Sequence, residues 1–180
     1  MLNKEEFSKI QEDLKNKDLE REEVILLSRD IIRESKMIIY GLHRGDEVSL
    51  DKMRELFSKL GRNCKIGIAN TAAQEYVEAL TYYYFVNEKR IPNREELKVN
   101  SEEYLLGLCD LAGELVRKAV KDSIKKNFDS VLEIRDFVEE LYGEFLKFNL
   151  RNGELRKKSD SIRWNLNKLE ELALDVSKRK

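Results

Sequence analysis

The chain has 180 residues, 41% hydrophobic and 38% charged, with 34 Lys and Arg set against 35 Asp and Glu. A formal charge of −1 excludes a global field that draws in polyanions, so a nucleic-acid partner must be held by a local patch. One proline and eight glycines leave little to interrupt long helices, and the length suits one domain with a sizeable core. The opening MLNKEEFSKIQEDL is too charged for a signal peptide. No uncharged run approaches the roughly 18 residues that cross a bilayer, which predicts a cytoplasmic protein with no membrane partner. Cys64 and Cys109 form no metal motif and read as free thiols of a reducing compartment.

Seven helices are predicted in chain order. The first spans about Lys4 to Asn16, with Phe7, Ile10 and Leu14 on one face, and the second about Leu19 to His43, carrying Val24, Leu27, Ile31, Ile38 and Leu42. RGDEVS makes a turn, and Leu50, Met53, Phe57 and Leu60 mark the third before a break at GRNCK. The fourth holds NTAAQEYVEALTYYYF, residues 70–85, and fades at NEKRIPN. Asn100 and Glu103 form a capping box at the start of the fifth, as do Ser130 and Glu133 at the start of the sixth. The sixth turns Ile134, Val138, Leu141, Phe145 and Phe148 to the core; the seventh, after LRNG, carries Leu155, Ile162, Leu166, Leu169, Ala173 and Val176. Short connections favour antiparallel neighbours, and the reading is one all-α domain over residues 1–180.

The fourth helix poses a problem. It is apolar nearly all round, as buried helices are, yet it carries Glu75 and Glu78. Three residues apart, they project about 60° from one another. The fifth helix supplies Asp110 and Glu114 at i, i+4, on the face of Leu106, Gly107, Gly113 and Arg117, with Leu105, Leu108, Cys109, Ala112, Leu115, Val116 and Ala119 on the core side. Glycine inside a helix costs about 1 kcal/mol against alanine and is tolerated where a backbone or ligand comes close. Were these helices antiparallel neighbours, the two acidic pairs would face each other across a crevice. Four carboxylates so placed cannot all stay ionised unaided, and a divalent cation resolves the conflict. Oxygen-only ligation suits Mg²⁺ or Mn²⁺ rather than zinc.

Acids at i, i+3 are common in any helical chain this charged, and most are solvated. The apolar surroundings and the second pair argue for a site here, because buried charges need a partner. Cations follow the acids: Arg117, Lys118 and Lys121 on the fifth helix, then Arg151, Arg156, Lys157, Lys158 and Arg163 around LRNGELRKKSDSIRW. Beside a metal they would hold a phosphodiester backbone; Lys125 and Lys126 read instead as complements to a helix dipole. Tyr82, Tyr83 and Tyr84 offer stacking surfaces or core, with Tyr84 assigned to core. His43, the only histidine, ends a helix and reads as a surface C-terminal residue.

Three blocks, QEYVEALTYYYF, EEYLLGLCDLAGELVRKAV and FNLRNGELRKKSDSIRWNLNKLEEL, resemble the translin family in order and spacing, from about residue 28 onward. The family has two branches. Translin binds single-stranded nucleic acid, whereas translin-associated protein X carries the acids of a Mg²⁺-dependent endoribonuclease. By position in the motifs, Glu75, Glu78, Asp110 and Glu114 match those acids, so the chain is similar to a compact, prokaryotic-type member of the second branch. The resemblance implies a seven-helix α-α superhelix, single-stranded RNA as substrate, and a hollow octamer-like homo-oligomer with its sites facing inward. The expected ligands are Glu75, Glu78 and Asp110, with Glu114 as a fourth ligand or the general base. Arg117, Lys121, Arg151, Arg156, Lys157 and Arg163 are the expected nucleic-acid contacts. Two rivals stand beside this reading: a protein that holds single-stranded RNA or DNA without cutting it, and an all-α nucleotide pyrophosphohydrolase. Di-iron chemistry is excluded, because no E-x-x-H occurs.

Overall fold

The computed structural model describes residues 2–60 and 66–178, and the predicted break at GRNCK, with Cys64, lies outside them. Among the described residues there are seven helices and no strand: α1 Lys4–Arg44, α2 Asp51–Lys59, α3 Gly67–Glu88, α4 Arg94–Leu97, α5 Ser101–Ile124, α6 Phe128–Phe145 and α7 Glu154–Ser177.

The expected all-α architecture is present, but its pieces are cut differently. The first two predicted helices are one, 41 residues and about 60 Å long, because nothing between Asn16 and Leu19 breaks a helix. Asn3 caps it by accepting from the Glu5 and Glu6 N–H groups, and Gly45, at φ 84°, ends it. The stripe of Phe7, Ile10 and Leu14 is exposed rather than packed. The extra helix is α4, a single turn closed by a capping box between Asn93 and Glu96 just after Pro92. The Asn100–Glu103 box opens α5 as expected. The Ser130–Glu133 box does not form: α6 starts at Phe128, and the Ser130 hydroxyl donates to buried Asp122 at 2.7 Å. Phe148 lies beyond the end of α6 and is 45% exposed.

The α1, α3, α5 and α7 helices lie in a row, each packed on the next. Contacts fix their direction. Lys36 and His43 of α1 meet Glu75 and Tyr82 of α3. Gly107 of α5 lies on Val77 of α3, while His43 ties Tyr82 to Glu114 further along both helices. Lys158 of α7 reaches Asp110, and Asn165 lies nearest Gly113. Numbers rise together in every pair, so the four helices run parallel. For α3 and α5 the expectation of antiparallel neighbours is therefore corrected. The chain returns between them through α2, through the segment holding α4, and through α6, which gives the α-α superhelix.

The core follows the row. α3 is buried almost all round, with Ala72, Val77, Ala79 and Leu80 at most 1% exposed, because α1 and α5 cover both sides. Leu106, Gly107 and Leu111 of α5 are buried as well, so its core side is wider than the sequence pattern suggested. A Cβ on Gly107 would stand 2.5 Å from Val77, so glycine here permits close helix packing. No helix among the described residues is long and apolar enough to cross a membrane.

Candidate functional site

The parallel row brings Glu75 and Glu78 of α3 beside Asp110 and Glu114 of α5, as the acidic pairs predicted, though through a different helix direction. All four line one cleft of about 740 Å³. Lys36, Met37, Ile39 and Tyr40 of α1 form one wall, and Lys158, Ser161 and Asn165 of α7 the other. Gly113 lies between the acids in the chain and lines the cleft, and a Cβ there would meet only Asn165, at an ordinary 3.9 Å.

Three of the four carboxylates have a cation at hand. Glu75 pairs with Lys36 at 3.3 Å, and Asp110 with Lys158 at 2.5 Å. Glu114 binds His43 Nε2 through one oxygen, which also lies 3.5 Å from Arg117. The hydrogen bond from His43 holds the Glu114 carboxyl below its usual range, against a smaller opposing effect of burial. Glu78 differs. It is 9% exposed, and its carboxylate makes no hydrogen bond or ion pair with a described residue, whereas its backbone carbonyl accepts from the Thr81 hydroxyl at 3.1 Å. Burial raises its pKa to about 8, helped by repulsion from Asp110, Glu75 and Glu114 and opposed by Lys158.

Four carboxylates on one cleft, one of them buried and unpaired, offer the kind of oxygen donors that a hard divalent cation takes. The residues therefore fit Mg²⁺ or Mn²⁺, although no three acidic, histidine or cysteine side chains among the described residues stand close enough to hold an ion as they are placed. Cys109 also lines the cleft, and burial, with Asp110 beside it, pushes its thiol up to about 12, so without a metal it stays protonated.

His43 is not the surface residue predicted from its place at the helix end. Its ring is 1% exposed, bonded through Nδ1 to the Tyr82 hydroxyl at 3.0 Å and through Nε2 to Glu114. Tyr82 is core, at 1% exposed, whereas Tyr83 and Tyr84 are half-buried. Tyr84 accepts from Arg54 at 2.7 Å and lies under Arg90.

The expected phosphate contacts divide. Arg117 lines the cleft, and Lys121 donates to the His43 carbonyl at 3.2 Å, at the end of α1. Arg156 and Arg163 line a separate groove with Phe148 and Trp164, while Arg151 and Lys157 are exposed outside the cleft. Among the cations of α7, Lys158 is the one that reaches the acids. Gln74, 5% exposed, also accepts from Lys158 at 3.2 Å, and neither it, His43 nor Lys36 was singled out as a site residue from sequence.

Known proteins share this arrangement of helices. The model of the Translin family matches residues 19–180. An uncharacterized protein of Methanocaldococcus jannaschii is 34% identical over 86% of this chain and 75% of its own length. Rat translin-associated protein X is 25% identical over 91% of the chain and 74% of its own length. Among solved structures, the crystal structure of apo-NeC3PO superposes with a TM-score of 0.88 at 32% identity, covering 98% of both chains. The structure of an AfC3PO–duplex RNA complex superposes with a TM-score of 0.79 at 20% identity, over 97% of this chain and 98% of that one, a likeness of fold. The family model spans every part of the helices that lines the cleft, and the chain belongs to the translin family.

Proposed function

We propose that this protein is a Mg²⁺-dependent endoribonuclease that cleaves single-stranded RNA at the α3–α5 cleft. One observation carries the reading: Glu78 is a buried carboxylate without a partner, surrounded by Glu75, Asp110 and Glu114. Such a group is destabilised when ionised unless a cation joins it. Glu75, Glu78 and Asp110 would hold Mg²⁺, or Mn²⁺ in its place, and Glu114 is the fourth ligand or the general base. When bound, the ion supplies Lewis acidity and neutralises charge at a phosphodiester.

The chain's own groups do the rest. Tyr82 and His43 orient the Glu114 carboxylate toward the cleft from behind. Arg117, half-exposed at the rim and 3.5 Å from Glu114, binds a substrate phosphate. Ile39 and Met37 add apolar surface to the wall of the cleft. The related complex with duplex RNA supports RNA as the polymer class, and the apo-NeC3PO likeness supports the same scaffold. Assembly into an octamer-like homo-oligomer belongs to the proposal. It accounts for the exposed stripe of Phe7, Ile10 and Leu14, which a second copy would cover. Solution mass tests it, and a monomer would remove that part.

The decisive assay incubates labelled single-stranded and duplex RNA with wild type and Glu78→Gln, in Mg²⁺ and in EDTA. Cleavage of the single strand by wild type in Mg²⁺ alone is the expected result. Equal cleavage by the variant would assign the activity to a contaminant. Salt-sensitive binding of RNA with no cutting in either metal condition would leave a binding protein.

A further inference from the structure

The three cations that line the cleft are not equivalent. Lys36 and Arg117 reach in from the rim, with side chains 63% and 48% exposed. Lys158 is 30% exposed, and its ammonium is fixed from two sides, by Asp110 Oδ2 at 2.5 Å and by Gln74 Oε1 at 3.2 Å. Gln74 is a buried amide, and it brings no charge that would balance an ammonium. Its oxygen gives Lys158 a foothold independent of Asp110. A divalent ion that claims Asp110 would repel an ammonium so close, and in the free protein Lys158 and that ion compete for one carboxylate.

We propose that Lys158 is a further catalytic residue of the RNA cleavage assigned above: it neutralises Asp110 in the free protein, and once the acids hold a divalent ion it stays on Gln74 and donates a hydrogen bond to a non-bridging oxygen of the scissile phosphate. This rests on the nuclease reading and adds to it a residue for the developing charge. In the step, a water oxygen bonds to phosphorus and the bond from phosphorus to one ribose oxygen breaks. The water gives a proton to Glu114, the leaving oxygen takes one from solvent, and Lys158 exchanges none. Its fixed position matters because a donor already in place costs no reorganisation when charge builds on the phosphoryl oxygens.

Lys158→Met and Lys158→Arg test this by two independent readings: Mn²⁺ affinity, from the electron paramagnetic resonance of free Mn²⁺, and single-turnover cleavage of labelled single-stranded RNA. Removing the competing ammonium is expected to leave Mn²⁺ affinity equal to wild type or up to about tenfold tighter, while the cleavage rate at saturating RNA falls about 100-fold. Lys158→Arg is expected to recover about a tenth of the wild-type rate, since charge and donors remain. Cleavage by Lys158→Met within about threefold of wild type would overturn the inference. So would a loss of Mn²⁺ affinity alongside the lost rate, which marks a lysine that merely holds the site together. Wild type that neither binds Mn²⁺ nor cuts RNA removes the nuclease reading itself, a result distinct from either.

Discussion

Glu20 and Glu23 on α1 repeat the E-x-x-E spacing of Glu75 and Glu78 on α3. The first pair stands on a stretch, residues 2–23, exposed at every position, and water solvates both carboxylates. The second stands on a helix covered by α1 and α5, and Glu78 is left where ionisation is costly. Identical spacing gives a solvated face in one region and a carboxylate buried beside other acids in the other. What separates them is the dielectric that neighbouring helices impose.

Glu78→Gln should produce the largest contrast: RNA cleavage in Mg²⁺ falling about 100-fold or more, since even an indirect supporter of a metal ligand is worth 10- to 100-fold. The next contrast is in stability against pH, measured by thermal melting in EDTA. The folded-state pKa of Glu78 is raised to about 8 from 4.5, so folded protein keeps a proton that unfolded chain has lost. Stability should therefore fall as pH rises from about 5 to 8, by up to about 1.4 kcal/mol per pH unit, and level off above. Mg²⁺ should remove the decline, and Glu78→Gln should lack it. Glu114 acts in the opposite sense and in another window. Its pKa is lowered, so its contribution is present above the ordinary carboxylate range and lost as pH falls below it.

Smaller effects probe how the helices create that environment. His43→Ala leaves the buried Tyr82 hydroxyl without its partner and should cost about 1–3 kcal/mol in denaturant unfolding. Within α5, Gly107→Ala should cost about 1–3 kcal/mol, because the new methyl meets Val77 and pushes α5 off α3. Gly113→Ala meets only Asn165 and should gain up to about 1 kcal/mol from helix propensity. At the small end, replacing both Glu20 and Glu23 by Gln should leave RNA cleavage unchanged and shift stability by no more than about 0.5 kcal/mol. A larger shift would break the contrast between the two regions.

Most of the helices, the Asn100–Glu103 box and the buried stripes of α3 and α7 were legible in the sequence, because caps and 3.6-residue periodicity are local properties of a chain; the unbroken α1 and the single turn of α4 were not. Also legible was the meeting of the four acids on one cleft, to which Glu75 and Glu78 on an all-round apolar helix and the second acidic pair on α5 both pointed. Tertiary structure alone decided the rest. The parallel row, which local pattern does not encode, set which residues of α3 and α5 meet. It also turned His43 from a helix-end residue into the buried link between Tyr82 and Glu114, and chose Lys158 from a run of similar cations. Direction and register come from long-range packing, such as Val77 against Gly107, and that packing gives each of these charges its neighbours and its dielectric.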